Sequence, residues 1–399
     1  MNESDALKAV VGMVPHWYEA EFGPVPHTLS LGDETLKFFT HRPLTPQSRQ
    51  LLKSAEEKLP ALYDFVKRLP LGKAVEVLQE RFARIWLSQV TGAIKWARLF
   101  EYLDDVNQRT YENQKVTCNF VISAGAGTVD VTSRDIQKII DPLATSLHTF
   151  IRVDHDLRFL EYGRVDWGGV RETKYYKFNP EFLQPVASVL ERDDYSVHLM
   201  GKGDLVVMNK SGLLAAKRKG RWKLYDVYTF KNTLAHIVGH YRVGCNIFDV
   251  LFDLSFKRHG ALLVYDPEKK VVNHVVNKGS VIAGTGATPD AARAMLQPSV
   301  EGIAMGAHEY EDRAKRLFLE LASIDGAVIF TAAGLLAFGS IIETHPDASS
   351  EAGARSTAAL SSYHWGGVPF KISSDGEIAV YFESGDRKRN SCFAKLEFL

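Results

Sequence analysis

The hydrophobic period changes twice along this chain, and each change narrows what the segment can fold into. From Gln47 to Lys67, and again from Lys73 to Leu103, apolar residues recur at spacings of three and four. Val75, Leu78, Phe82, Ile85 and Trp86 mark one face, the pattern of amphipathic helices. Thr45-Pro46 supplies an N-cap followed by proline at the first helical position. A further helical segment runs from Asp135 to Phe150. Between these, Val116 to Ile122 is β-rich and runs into Ser-Ala-Gly-Ala-Gly, a strand entering a glycine turn. From Phe150 to Tyr228 short β-branched or aromatic runs alternate with Gly, Asn and Asp, as in a meander of hairpins. The runs are Lys174 to Phe178, Tyr195 to Leu199, Asp204 to Met208, Leu213 to Ala216 and Trp222 to Val227. Residues 1 to about 44 hold Pro-containing turns and no sustained period, which predicts an irregular arm.

Beyond Val227 helix and strand alternate. A helix is expected from Lys231 to Phe256, a buried strand from Gly260 to Tyr265, and a helix from about Tyr310 to Leu321. Three strands follow at Ala327 to Thr331, Leu335 to Ile342 and Ile378 to Phe382. A chain of 399 residues exceeds what one core usually supports. The expected organisation is an α+β region over residues 1–229, helical over 45–150 and a β meander over 151–228. An α/β domain over 230–399 follows, with a mixed sheet and flanking helices.

Charge gives no partner away. Lysine plus arginine total 48, as do aspartate plus glutamate, so no net charge draws the chain to nucleic acid or an anionic membrane. Cys118, Cys245 and Cys392 are far apart and form no Cys-x-x-Cys pair, against a zinc ribbon or disulfide framework and in keeping with a reducing cytoplasm. The N-terminus lacks the pattern of a signal peptide, and no stretch has the roughly 18 uncharged apolar residues a membrane helix needs.

Chemistry concentrates in the C-terminal third. Asp325-Gly326-Ala327 at a strand start places a carboxylate at the sheet rim beside small residues, where it can hold a divalent metal or help deprotonate a hydroxyl. Gly353-Ala354-Arg355-Ser356-Thr357 reads as a glycine-led helix start. Its backbone N–H groups, the Arg355 guanidinium and the Ser356 and Thr357 hydroxyls would converge on an anion. The plain alternatives are an Asp-Gly turn at Asp325 and a solvated, self-capped helix start at Arg355 to Thr357.

In order and local setting, Gly260 to Val264, Asp325 to Ala327 and Gly353 to Ala359 resemble the diadenylate cyclase domain, the nucleotide-binding domain of the DNA integrity scanning protein and its relatives. That family carries a Gly-Ala-Leu-Ile-Val strand, an Asp-Gly-Ala motif and a Gly-x-Arg-His-Arg-Ala-Ala motif. The resemblance spans roughly residues 232–399. It implies a nucleotidyltransferase that condenses two ATP molecules into the second messenger cyclic di-AMP, releasing pyrophosphate. Asp325 would be catalytic and would hold Mg2+ or Mn2+; Gly326, Ala327, Gly353, Arg355, Ser356 and Thr357 would bind nucleotide. Two facing copies would complete each site, and residues 1–229 would sense or regulate. The chain departs from the family at Ser356 and Thr357, which replace a histidine and an arginine and exchange charge-assisted contacts for neutral ones. The same replacement fits a second reading, a nucleotide or cyclic-dinucleotide receptor without turnover.

Other motifs carry less. His236 and His240 are expected to share a helix face, but the glutamate and third ligand of a zincin are missing. Gly284 to Thr288 lacks the Lys-Ser or Lys-Thr of a phosphate loop, and Lys217 to Arg221 and Arg387 to Arg389 read as basic turns. Trp167-Gly168-Gly169 and Tyr175-Tyr176 are candidates for a ligand surface or for buried aromatics.

Overall fold

The computed structural model describes the chain except residues 112–113, 144–148, 166–182, 202, 284–285, 287, 308–311, 349–352, 387–389 and 399. The Lys174 to Phe178 strand, the Trp167 and Tyr175 aromatics, Thr285 and the Arg387 to Arg389 turn therefore lie outside the described residues. The chain divides into two compact units. One comprises Met1–Val14, Thr28–Leu36 and Leu44–Val227; the other comprises Pro15–His27, Lys37–Pro43 and Tyr228–Leu399. Among the described residues no helix is long and apolar enough to cross a membrane.

The expected irregular arm is in fact structured. Helix α1 (Glu3–Val11) starts with a capping box, in which Asn2 Oδ1 accepts from the Asp5 N–H at 2.7 Å and Asp5 Oδ2 accepts from the Asn2 N–H at 3.4 Å. Strands β1 (Val25–Leu31) and β2 (Glu34–Thr40) then form a separate hairpin. A nine-residue helix is too short to establish a period, and this one is held by its cap and by the burial of Ala6, Leu7 and Val10.

Helix α2 (Pro46–Val66) starts where the sequence predicts, with Thr45 Oγ1 accepting from the Ser48 N–H at 3.1 Å. The long helical stretch after it is two helices, α3 (Leu71–Thr91) and α4 (Trp96–Asn107). Gly92, at φ +76°, adopts a conformation a side chain would resist and ends α3. The short pair β3 (Thr110–Tyr111) and β4 (Gln114–Lys115) leads to β5 (Cys118–Ile122), α5 (Arg134–Leu143), β6 (Thr149–Val153), β7 (Phe159–Arg164) and α6 (Gln184–Ser188). The meander β8 (Tyr195–Leu199), β9 (Leu205–Asn209), β10 (Gly212–Arg218) and β11 (Arg221–Leu224) completes a seven-stranded sheet of order β11-β10-β9-β8-β5-β6-β7. Among the described residues its one parallel pair is β5 with β6. Trp222 on β11 is fully buried, its ring tilted against Phe100 with centroids 5.0 Å apart, and its backbone N–H donates to Gln79 Oε1 at 3.1 Å, so α3 and α4 cover this end of the sheet.

The basic turn at Lys217 to Arg221 is solvated at its tip, where Lys219 and Arg221 are exposed, but not at its base. Lys217 and Arg218 are 8% and 5% exposed. Lys217 Nζ lies 2.9 Å from Glu80 Oε2 and 3.4 Å from Asp104 Oδ1, and Arg218 Nε lies 3.2 Å from Asp204 Oδ2. Helices α3 and α4 supply the carboxylates that pair Lys217, and Asp204, just before β9, pairs Arg218, so both cations serve the packing of this unit.

In the other unit, α7 (Val227–Val238) and α8 (Tyr241–Lys257) lead to β12 (Ala261–Tyr265), α9 (Ala291–Val300), α10 (Asp312–Ala322), β13 (Ala327–Phe330), β14 (Leu335–Ser340), α11 (Ala354–His364), β15 (Val368–Ile372), β16 (Ile378–Asp386) and β17 (Asn390–Phe398). Gly239, at φ +68°, breaks the expected single helix into α7 and α8. His236 and His240 therefore share no helix face. His240 caps α8, its Nδ1 accepting from the Val243 N–H at 3.3 Å, while His236 Nε2 accepts from Arg42 at 2.9 Å.

The sheet of this unit is mixed α/β in construction, in the order β14-β13-β12-β15-β16-β17. Among the described residues only β12 and β13 are parallel, with Leu262 opposite Ala327, and the other pairs are antiparallel. Two of its strands, β15 and β17, were not expected from the sequence. Pro369 obscures β15, yet it is accommodated because β16 pairs with β15 only from Phe370 to Ile372. Leu262, Val264, Ile329 and Ala337 on one sheet face, with Ala359 and Leu360 from α11, form the core beneath the rim where the candidate residues lie.

Candidate functional site

Parallel pairing of β12 and β13 sets their starts side by side, about 5 Å apart by ordinary strand spacing. Gly260 precedes β12, and Asp325-Gly326 precedes β13. Helix α11 then brings Arg355 to this rim. Its guanidinium occupies the space a side chain at position 260 would fill, since a Cβ there would lie 3.0 Å from Arg355 Cζ and closer still to Nη1. The Gly260, Asp325 and Arg355 motifs, separated by up to 95 residues of sequence (355 − 260), thus meet at one end of one sheet.

Each residue has a distinct setting. Asp325 is exposed, and its Oδ1 accepts from the Gly326 N–H at 3.1 Å. An exposed carboxylate at a strand start is a donor of the kind Mg2+ or Mn2+ takes, hard cations that commonly bind one or two protein carboxylates and complete their shell with substrate phosphate and water. The missing side chain of Gly326 makes room for protein: at φ +108°, a Cβ would come within 2.6 Å of the Gly339 carbonyl carbon on β14. Ala327 is 1% exposed with its methyl in the core, so only its backbone faces the rim.

Gly353, at φ +97°, opens α11, and no described side chain caps the helix. With the positive end of the helix dipole, the first N–H groups of such a helix suit an anion. Arg355, Ser356 and Thr357 are half-buried around this turn. Thr357 Oγ1 donates to the Gly353 carbonyl at 3.2 Å, as a hydroxyl in a first helical turn commonly does.

Two cations that the motif reading did not include stand nearby. Lys371 on β15 donates from Nζ to Ser356 Oγ at 3.0 Å, and it lies opposite Leu262 across the β12–β15 ladder. It places a positive charge beside one of the two positions where the resembling motif would have a basic residue. A Lys after Phe in a strand of apparent VPFKI pattern offers no local hint of this; only the register supplies it. Arg293 of α9 is held structurally. It pairs with Asp290, and its Nε donates to the Phe338 carbonyl at 3.0 Å, bracing β14 behind Asp325.

No family model matches the chain, and no curated protein matches it. Among solved structures, a double mutant of DacA from Staphylococcus aureus is similar to 39% of this chain and 85% of its own, at 18% identity and a TM-score of 0.22. A hypothetical membrane spanning protein from Bacillus cereus is similar over 38% of this chain and 70% of its own, at 14% identity and a TM-score of 0.24.

Proposed function

We propose that the unit containing Asp325 and Arg355 binds ATP and transfers its nucleotidyl group, condensing two ATP into cyclic di-AMP or a related cyclic dinucleotide with release of pyrophosphate. The observation that carries this reading is the meeting of Asp325, Arg355 and the glycine-led start of α11 at the rim shared by β12 and β13. Arg355 and the α11 N–H groups hold phosphate, and Ser356 contributes through the hydroxyl that Lys371 orients. Asp325 stands where a 3′-hydroxyl must lose its proton as it attacks the α-phosphate of a second nucleotide. One such rim supplies one nucleotide, so two copies facing each other complete the reaction, and the unit built around β5 to β11 regulates that meeting. Bound Mg2+ or Mn2+ would offset charge on the phosphates.

Incubating the purified full chain with labelled ATP and Mn2+ tests this directly. A labelled cyclic dinucleotide is expected, and Asp325→Asn is expected to abolish it while leaving the melting temperature within a degree or so, because Asp325 is exposed and supports no packing. Synthesis undiminished in the variant removes Asp325 from the reaction.

A second reading, a receptor that holds a nucleotide without turning it over, is favoured by Thr357, whose hydroxyl already donates within its own helix. It predicts binding of a nucleotide lacking the triphosphate at least as tight as ATP, with no product under any metal.

A further inference from the structure

We propose that His345, Asp347 and His364 form a binding site for a divalent transition metal, with Zn2+ as the best-suited ion. These three residues offer one donor atom each, and the donor atoms all lie within 4.8 Å of one another. His345 Nδ1 and Asp347 Oδ2 are 3.6 Å apart. Two donors on one tetrahedral ion with bonds near 2.0–2.1 Å stand about 3.3 Å apart, so a small rotation brings this pair onto a shared metal. The His345 and His364 rings lie with centroids 4.7 Å apart and planes 19° from parallel.

Two elements build the cluster. His345 and Asp347 flank Pro346 in the turn that follows β14, and His364 closes α11. A helix C-terminus carries partial negative charge, which favours a cation. The His345 N–H donates to Ser361 Oγ at 3.0 Å and so fixes the turn, while the Asp347 N–H donates to His345 Nδ1 at 3.2 Å, a contact that a metal on Nδ1 would replace. Trp365 packs edge-on against His345 with centroids 4.5 Å apart, and its Nε1 donates to the Glu343 carbonyl at 3.2 Å. On its other side Trp365 stacks at 3.6 Å on His274, whose Nδ1 lies 3.0 Å from Glu343 Oε2. One wall is therefore packed, while Asp347 and His364 are exposed and leave a way in.

Two imidazoles and one carboxylate suit Zn2+ and its neighbours in the first transition row better than Mg2+ or Ca2+, which prefer oxygen donors throughout. Three protein donors leave a fourth position for water. His364 lies nine residues after Arg355, about 13 Å along α11, so this site is separate from the rim that holds Asp325 and succeeds or fails independently of the nucleotide reading.

The test uses the full chain without an affinity tag, freed of metal by chelator dialysis and titrated with Zn2+ by calorimetry and with Co2+ by visible absorption. One ion per chain at micromolar affinity or tighter is expected, with the intense bands of tetrahedral Co2+ and a raised melting temperature. His345→Gln, Asp347→Asn and His364→Gln should each weaken Zn2+ at least tenfold and dim the Co2+ bands, while His259→Gln, an exposed histidine elsewhere, should change neither. Circular dichroism of the metal-free variants keeps a folding defect distinct from a lost ligand. Absence of Zn2+ binding in the micromolar range, or wild-type affinity in folded His345→Gln and His364→Gln, overturns the site and leaves these rings as a packed aromatic cluster.

Discussion

The guanidinium of Arg355 lies against the bare backbone of Gly260, in the volume that a methyl group there would occupy. The arginine is the only member of its motif with a fixed charge, and its place at the rim depends on a glycine 95 positions earlier (355 − 260). Backbone conformation does not force glycine at this point, since Gly260 is not among the residues with positive φ. The requirement is for space.

Gly260→Ala should therefore act on ligand affinity more than on stability. The atoms a Cβ would meet belong to the far end of a flexible side chain, which can swing away at small cost. Displacing Arg355 forfeits a charge-assisted contact worth about 1.5–3 kcal/mol, roughly a tenfold or greater loss of ATP affinity. Calorimetry with ATP and Mn2+ should show similar losses for Gly260→Ala and Arg355→Ala. Full affinity in Gly260→Ala would mean that Arg355 does not need this position.

Gly326→Ala should do the opposite. Gly326 has φ +108°, and the added Cβ would meet the Gly339 backbone, which has no rotamer to change. Strain and clash together should cost about 2–4 kcal/mol, read as a lower urea midpoint with an unchanged slope. A neutral substitution would show that β13 and β14 separate at little cost.

Acid should destabilise the unit that contains His198. This residue is fully buried on β8, its Nδ1–H donating to Asn119 Oδ1 at 2.8 Å and its Nε2 accepting from Ser196 Oγ at 2.9 Å. Burial pushes its pKa from 6.5 down to about 3, so the imidazole stays neutral in the folded chain. Below pH 6.5 the unfolded chain takes up a proton that the folded chain refuses. Stability is therefore whole above pH 6.5 and falls as the pH drops toward 3, by up to about 1.4 kcal/mol per pH unit. His198→Gln should flatten that slope by about one proton in denaturant titrations between pH 6.5 and 4. An unchanged slope would assign the acid sensitivity elsewhere; in the other unit His41, pushed down to about 4 chiefly by burial and then by the neighbouring His236, acts in the same direction on that unit.

Lys217→Met should leave a carboxylate short of its partner. Against burial, which would raise it, hydrogen bonding and charge from Lys217 and then Arg84 lower the Glu80 carboxyl below its usual range. Arg84 remains beside Glu80 and softens the loss, so about 2–3 kcal/mol is expected. Adding Glu80→Leu should recover most of it in a double-mutant cycle; a double variant as unstable as the single one would show that Lys217 acts through its packing.

The sequence by itself determined the features set within a few residues of one another. Thr45-Pro46 starts α2 because cap and fixed φ act locally, and the apolar runs of β12, β13 and β14 mark buried strands. The Asp325 and Arg355 motifs were legible for the same reason, as a carboxylate at a strand start and a glycine-led helix start. Tertiary structure decided what lies across space. Gly92 and Gly239 end helices whose apolar period continues past them, because a positive φ is favoured only once the chain turns to pack. Pairing of Leu262 with both Ala327 and Lys371 placed Asp325, Arg355 and Lys371 at one rim. The length of α11 carried His364 back to His345. Strand register and helix reach are set by the summed burial of residues far apart in sequence, such as Ile329, Ala359 and Tyr381, and no single segment contains that sum.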